Sequence, residues 1–121
     1  MNHASIISFL AGTCSPEEFA AEIAPEVAAC IQGFATGGVG HIIVTDGPSA
    51  TIGRDHAARL LRALLEERIS FDAANYLADG LMMSDNFDFA DAAVAEAIEF
   101  VADDSRPPLA REMQEALGRL A

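Results

Sequence analysis

Apolar residues recur at helical spacing through nearly all of this chain, and a single β-branched run interrupts them. Phe19, Ile23, Val27, Cys30, Ile31 and Phe34 fall at i, i+4, i+8, i+11, i+12 and i+15, which is one face of an α-helix. The helix has a clear start. Ser15 can cap it, Pro16 suits its first position, and Glu18 stands where a capping box needs a carboxylate. Pro25 lies inside the stripe, removes one hydrogen bond and crowds the preceding turn, so the pattern predicts a kink or two abutting helices.

The second half reads as helical to its end. Asp55–Glu67 carries Ala58, Leu61, Leu64 and Leu65 on one side. Ser70 caps the next segment, with Ile69 as a staple and Ala74, Leu77, Ala78 and Leu81 as its inner face. Asp85–Asp88 reads as a polar linker containing Phe87. Asp88 is the predicted cap of a helix through Ala102, with Val94, Ala97, Ile98 and Val101 facing inward. Pro108 is predicted to start a last helix that buries Leu109, Met113, Ala116, Leu117 and Leu120.

The interruption lies between these halves. Gly37-Gly38-Val39-Gly40 stops the first long helix, and His41-Ile42-Ile43-Val44-Thr45 reads as a strand. Asp46-Gly47-Pro48-Ser49 is turn chemistry, after which Ala50-Thr51-Ile52 is expected to return as a second strand. An isolated hairpin is marginal in water, so it must pack on helices or pair with another chain's edge. The expected fold is therefore mainly α, a single domain over residues 1–121. It is a bundle of five or six helices with one short β-hairpin between the N- and C-terminal halves.

Half of the 121 residues are apolar, enough for a core without metal or disulfide support. Cys14 and Cys30 do not make a disulfide framework, and Cys30 falls on the apolar stripe. Met1–Ser8 has no basic stretch of the kind that opens a signal peptide, and no apolar run approaches the roughly 20 residues of a bilayer span. The expectation is a cytoplasmic protein.

Charge is the strongest functional signal. The formal net charge is −12 and there is no lysine. Between Ile69 and Ser105 stand nine carboxylates and no basic residue: Asp72, Asp79, Asp85, Asp88, Asp91, Glu96, Glu99, Asp103 and Asp104. Such a field repels nucleic acid and anionic membrane and attracts basic partners. At about 100° per residue, Glu96, Glu99 and Asp103 share one narrow arc of a helix, with Phe100 beside them and away from Val94, Ile98 and Val101. An aromatic among carboxylates has the anchor-plus-charge composition of a recognition surface. The candidate partner-binding set is therefore Asp85, Asp88, Asp91, Glu96, Glu99, Phe100 and Asp103, with Phe100 as anchor. A solvated acidic face, with Phe100 folded against the last helix, is the plainer reading.

Other motifs fail on their own chemistry. The glycine cluster follows a helix and precedes a strand, the reverse of a phosphate-cradling loop. His3, His41 and His56 have no metal spacing, and their pairing with Cys14 or Cys30 as a nucleophile is a coincidence of common residues. Asp85–Asp91 lacks calcium-loop chemistry, with Phe87 third, Phe89 fifth and Ala90 in the glycine position. Arg54, Arg59, Arg62 and Arg68 form either a small anion site or partners for the chain's own carboxylates. No catalytic residue, cofactor or metal site is expected.

The stretch from Leu60 to Asp104, LLRALLEERISFDAANYLADGLMMSDNFDFADAAVAEAIEFVADD, resembles small acidic bacterial proteins of uncharacterised function. In texture it is similar to helical immunity proteins that neutralise colicin-type nucleases. That resemblance rests on helix lengths and acidity, and the strand-like His41–Ile52 departs from it. It implies a non-enzymatic, immunity- or antitoxin-like inhibitor of a basic protein partner. The alternatives are a structural protein that forms a homodimer through the hairpin edge and, ranked last, a small-ligand binder or enzyme.

Overall fold

The computed structural model describes residues 1–38 and 40–121. Among the described residues the chain forms six helices and is 63% helical. In order these are α1 (His3–Ala11), α2 (Pro16–Ala35), α3 (Arg54–Leu65), α4 (Phe71–Met83), α5 (Ala92–Ala102) and α6 (Ala110–Leu120). Two three-residue strands, β1 (Ala50–Ile52) and β2 (Phe87–Phe89), complete the architecture.

The helices come as two hairpins built on the same turn. After α1, the Gly12 N–H donates to the Phe9 carbonyl at 3.1 Å and the Thr13 N–H to the Ser8 carbonyl at 2.9 Å. After α3, the Glu67 N–H donates to the Leu64 carbonyl at 3.1 Å and the Arg68 N–H to the Ala63 carbonyl at 2.9 Å. Both are Schellman closures, which satisfy carbonyls at the end of a helix through one left-handed residue. That residue is Gly12 (φ 86°) in the first hairpin and Glu67 (φ 59°) in the second. Three residues further on, a serine caps the returning helix in each case. Ser15 Oγ accepts from the Glu18 N–H and Ser70 Oγ from the Ala73 N–H, both at 3.1 Å.

The two hairpins stack, with α1 against α3 and α2 against α4, while α5 lies on α4 and α6 on α3. Phe9 and Phe19 stack at 4.9 Å between the first two helices. Ile6, Leu10, Ile23, Leu60, Leu61, Leu77, Leu81, Val94 and Ile98 close the core around them. Pro25 does not divide α2, which runs unbroken for 20 residues. It sits on the exposed face, where water can take the carbonyl that its missing N–H leaves free.

The expected hairpin does not form. β1 pairs in parallel with β2, placing Ala50 opposite Phe87, Thr51 opposite Asp88 and Ile52 opposite Phe89. Flanking bonds run from the Ala50 N–H to the Asn86 carbonyl and from the Ala90 N–H to the Ile52 carbonyl. The reason lies in Phe87-Asp88-Phe89, where an apolar alternation of period two is masked by its one aspartate. Phe87 is buried and Asp88 exposed, so a segment read as linker is a strand. Asp88 is therefore not the cap of α5. Asp91 takes that role, its Oδ1 accepting from the Val94 N–H at 3.0 Å. The last helix likewise starts at Ala110, two residues after Pro108, with the Glu112 carboxylate reaching back to the Leu109 N–H at 2.8 Å.

His41–Thr45, expected as a strand, forms none, and what holds it is the chain's own beginning. The Met1 amine donates to the Ile43 carbonyl, the Thr45 N–H to the Met1 carbonyl at 2.9 Å, and the His3 N–H to Thr45 Oγ1 at 3.0 Å. With no hairpin, the expected dimer through a hairpin edge loses its structural basis. What remains is a single segment lying over α4, where the lack of a Cβ at Gly80 gives room first for the side chain of Met1 and then for those of Val44 and Ile42.

Candidate functional site

Of the nine carboxylates between Ile69 and Ser105, only Asp91 makes an ion pair among the described residues. Arg54 Nε meets its Oδ2 at 2.9 Å, and this bond with the helix cap holds the carboxyl below its usual range. Asp91 is therefore a structural residue. Phe100, the predicted anchor, is half-buried and packs against the core. The plainer expectation folds Phe100 against the last helix, whereas the structure shows it half-buried against the core.

The other five predicted residues remain at the surface. Asp85 and Asp88 are exposed in and before β2, and Glu96 and Glu99 are exposed on α5. Asp103 is exposed at the end of α5, where the Ser105 N–H donates to it at 3.0 Å and lowers its pKa. On α5 the buried residues Val94, Ala97, Ile98 and Val101 fix the orientation that sends Glu96 and Glu99 outward. Asp79 differs from all of these. It is half-buried on α4, and burial, with repulsion from Asp104 second, raises its pKa.

The arginines that could have neutralised this surface are mostly engaged elsewhere. Arg68 forms two hydrogen bonds with Glu17, at 2.9 and 3.0 Å, tying the α3–α4 turn to the start of α2. Arg59 donates through Nε to the Leu10 carbonyl at 3.1 Å and lies against Gly12. Arg106 clasps Glu112 with two bonds. Arg62 makes no ion pair among the described residues; it lines a hollow of about 410 Å³ with Arg59, Arg68, Glu66 and Cys14. Burial, with the nearby Glu18 and Glu22 carboxylates, pushes the Cys14 thiol pKa up, which disfavours the nucleophilic thiolate.

His41 and Cys30 line one hollow with Glu26 and Tyr76, and no hydrogen bond joins a histidine to a cysteine among the described residues. His3 is buried and stacks on Phe87 at 4.9 Å, and His56 Nδ1 accepts from the Gly53 N–H at 2.9 Å. Among the described residues no three His, Cys, Asp or Glu groups converge as metal ligands would. No helix among them is long and apolar enough to cross a membrane.

One feature beside the acidic surface escaped the sequence reading. Ile42, Ile43 and Val44 face Gly80, Met83 and Ser84 across an open hollow of about 290 Å³. Ile43 is 67% exposed and Met83 68%, and Ser84 leads directly into Asp85. The available signal was Met82-Met83, two large apolar residues beyond the inner face that ends at Leu81. Comparison of the chain with protein-family models, with curated proteins and with solved structures gives no match.

Proposed function

We propose that this chain is a non-enzymatic binding module that recognises a basic protein, an inhibitor of the immunity or antitoxin kind. Its recognition surface comprises Asp85, Asp88, Glu96, Glu99 and Asp103. One observation carries this reading. The chain does not neutralise its own acidic stretch, since a single member of it, Asp91, has an ion pair among the described residues. Unpaired surface carboxylates repel one another, and a cationic partner relieves that repulsion. Opposite charge across an interface accelerates encounter and makes it depend on salt. In this reading the negative field also turns away nucleic acid and anionic lipid, and the protein works in the cytoplasm.

The test is capture of partners from native lysate on the immobilised chain, with the variant Asp85→Asn/Asp88→Asn/Glu96→Gln/Glu99→Gln alongside. The expected result is a basic protein retained at low salt, released at high salt and not retained by the variant. Retention indifferent to salt and to the four substitutions would contradict the proposal.

A further inference from the structure

A basic hollow in so acidic a chain calls for its own explanation. We propose that the hollow between the Gly12–Pro16 turn and α3 binds a small phosphorylated compound, with Arg62 and Arg59 as its principal ligands. It shares no residue with the acidic recognition surface, and its occupant carries the opposite charge to that surface's partner.

The lining decides the chemistry. Arg59 and Arg62 stand one turn apart on α3 and so share a helix face, which with Arg68 borders a hollow of about 410 Å³ that is more polar than apolar. A hollow of that size admits a metabolite-sized ligand. Arg59 is held in place there, its Nε on the Leu10 carbonyl and its guanidinium against Gly12. Its two terminal nitrogens have no protein partner among the described residues, and Arg62 has none for any of its nitrogens. Two like charges one turn apart repel, and an anion between them relieves that repulsion.

The carboxylates of this corner leave that role open. Glu17 is taken by Arg68 through two bonds, and Glu18 and Glu22 act on the Cys14 thiol. Only Glu66 lines the hollow itself, and it makes no ion pair among the described residues. With Arg68 set against Glu17, two arginines face one carboxylate. A guanidinium fork pairs with two oxygens of an anion. A carboxylate is therefore filled by one fork, whereas a phosphoryl group has a further oxygen for the second. Charges elsewhere on the molecule are screened over about 8 Å at physiological ionic strength, so a compact anion between Arg59 and Arg62 feels those two first. A nucleic acid would extend beyond the hollow and meet the field of the whole chain, with its net charge of −12.

The test is calorimetric titration of pyrophosphate, inorganic phosphate and citrate into the full chain, at low salt in a phosphate-free buffer. Pyrophosphate is expected to bind at one site, more tightly than phosphate and more tightly than citrate, whose charge is carried by carboxylates alone. Arg62→Gln, at an exposed position without a partner, should weaken pyrophosphate by at least about tenfold, the factor of one charge-assisted hydrogen bond. Arg119→Gln removes the same charge at an exposed position outside the hollow and should change the affinity by no more than about twofold. Glu66→Gln removes the competing carboxylate and should tighten binding. No binding of pyrophosphate, an equal loss in Arg62→Gln and Arg119→Gln, or citrate bound as tightly as pyrophosphate would overturn the inference while leaving the acidic-surface reading intact. Should Arg62→Gln lower the urea midpoint, Glu66→Gln decides, and an affinity that stays level or weakens there would overturn it.

Discussion

At the turn between α1 and α2, Arg59 is tied to the Leu10 carbonyl and Arg68 to both oxygens of Glu17. Along β2 and α5, by contrast, Asp85, Asp88, Glu96 and Glu99 make no ion pair among the described residues. Both regions are dense in charge. In the first the fold engages Arg59, Arg68 and Glu17 but not Arg62, and in the second only Asp91 is in an ion pair among the described residues. Charge density alone therefore says little about function. The informative quantity is how much of it the fold leaves unpartnered, and by that measure the acidic stretch is the surface available to another molecule.

The sharpest way to break the comparison is to disturb the corner. Gly12 sits at φ 86°, and a Cβ there would come within 2.6 Å of the Arg59 guanidinium carbon. Gly12→Ala should cost about 1–2 kcal/mol for the left-handed backbone, with further loss as Arg59 is pushed off the Leu10 carbonyl. Urea denaturation should show a lower midpoint at unchanged slope.

The next effect separates the one committed acid from its neighbours. Asp91→Ala removes both the cap of α5 and the partner of Arg54, so its urea midpoint should fall, though by less than for Gly12→Ala. The fall should depend on pH. Because Asp91 has a depressed pKa in the folded state, its contribution is present above the ordinary carboxyl range and disappears as pH drops through the depressed value. Wild type and Asp91→Ala should therefore converge in acid.

Asp79 sharpens the contrast with the opposite sign and the smallest effect. Its pKa is raised by burial and by Asp104, so its ionised form opposes folding at neutral pH. Asp79→Asn should raise the urea midpoint modestly at pH 7. The gain should shrink as the pH falls through the raised value, where the wild-type carboxyl is already protonated.

The helical frame was legible because its signals are local. Ser15 and Ser70 cap where the sequence places them, and the stripes of α4 and α5 face inward as their spacing predicts. So do Phe19, Ile23, Val27 and Cys30 of α2, whereas Ile31 and Phe34 at the end of that stripe are exposed. The sheet was not legible, because its partners are 37 residues apart in the register from Ala50 to Phe87 and each strand has only three residues. The β-branched residues of His41–Thr45 form no strand, because propensity does not name a partner, and Met1–His3 bonds to that segment instead. At the candidate site the sequence identified the carboxylates. It could not tell Asp91, drawn in by Arg54 across 37 residues, from the others, nor see that Ile43 and Met83 would stand exposed across one hollow. The misses at the sheet and at the candidate site are contacts between distant segments, whereas those at the starts of α5 and α6 are local.

The most direct measurement is the urea midpoint of Asp85→Asn/Asp88→Asn/Glu96→Gln/Glu99→Gln compared with that of the wild type at pH 7 and low salt. If the fold has no use for these four charges, removing them relieves repulsion and the midpoint stays level or rises. A fall as large as that of Asp91→Ala would mean that the protein needs them for itself and does not hold them for a partner.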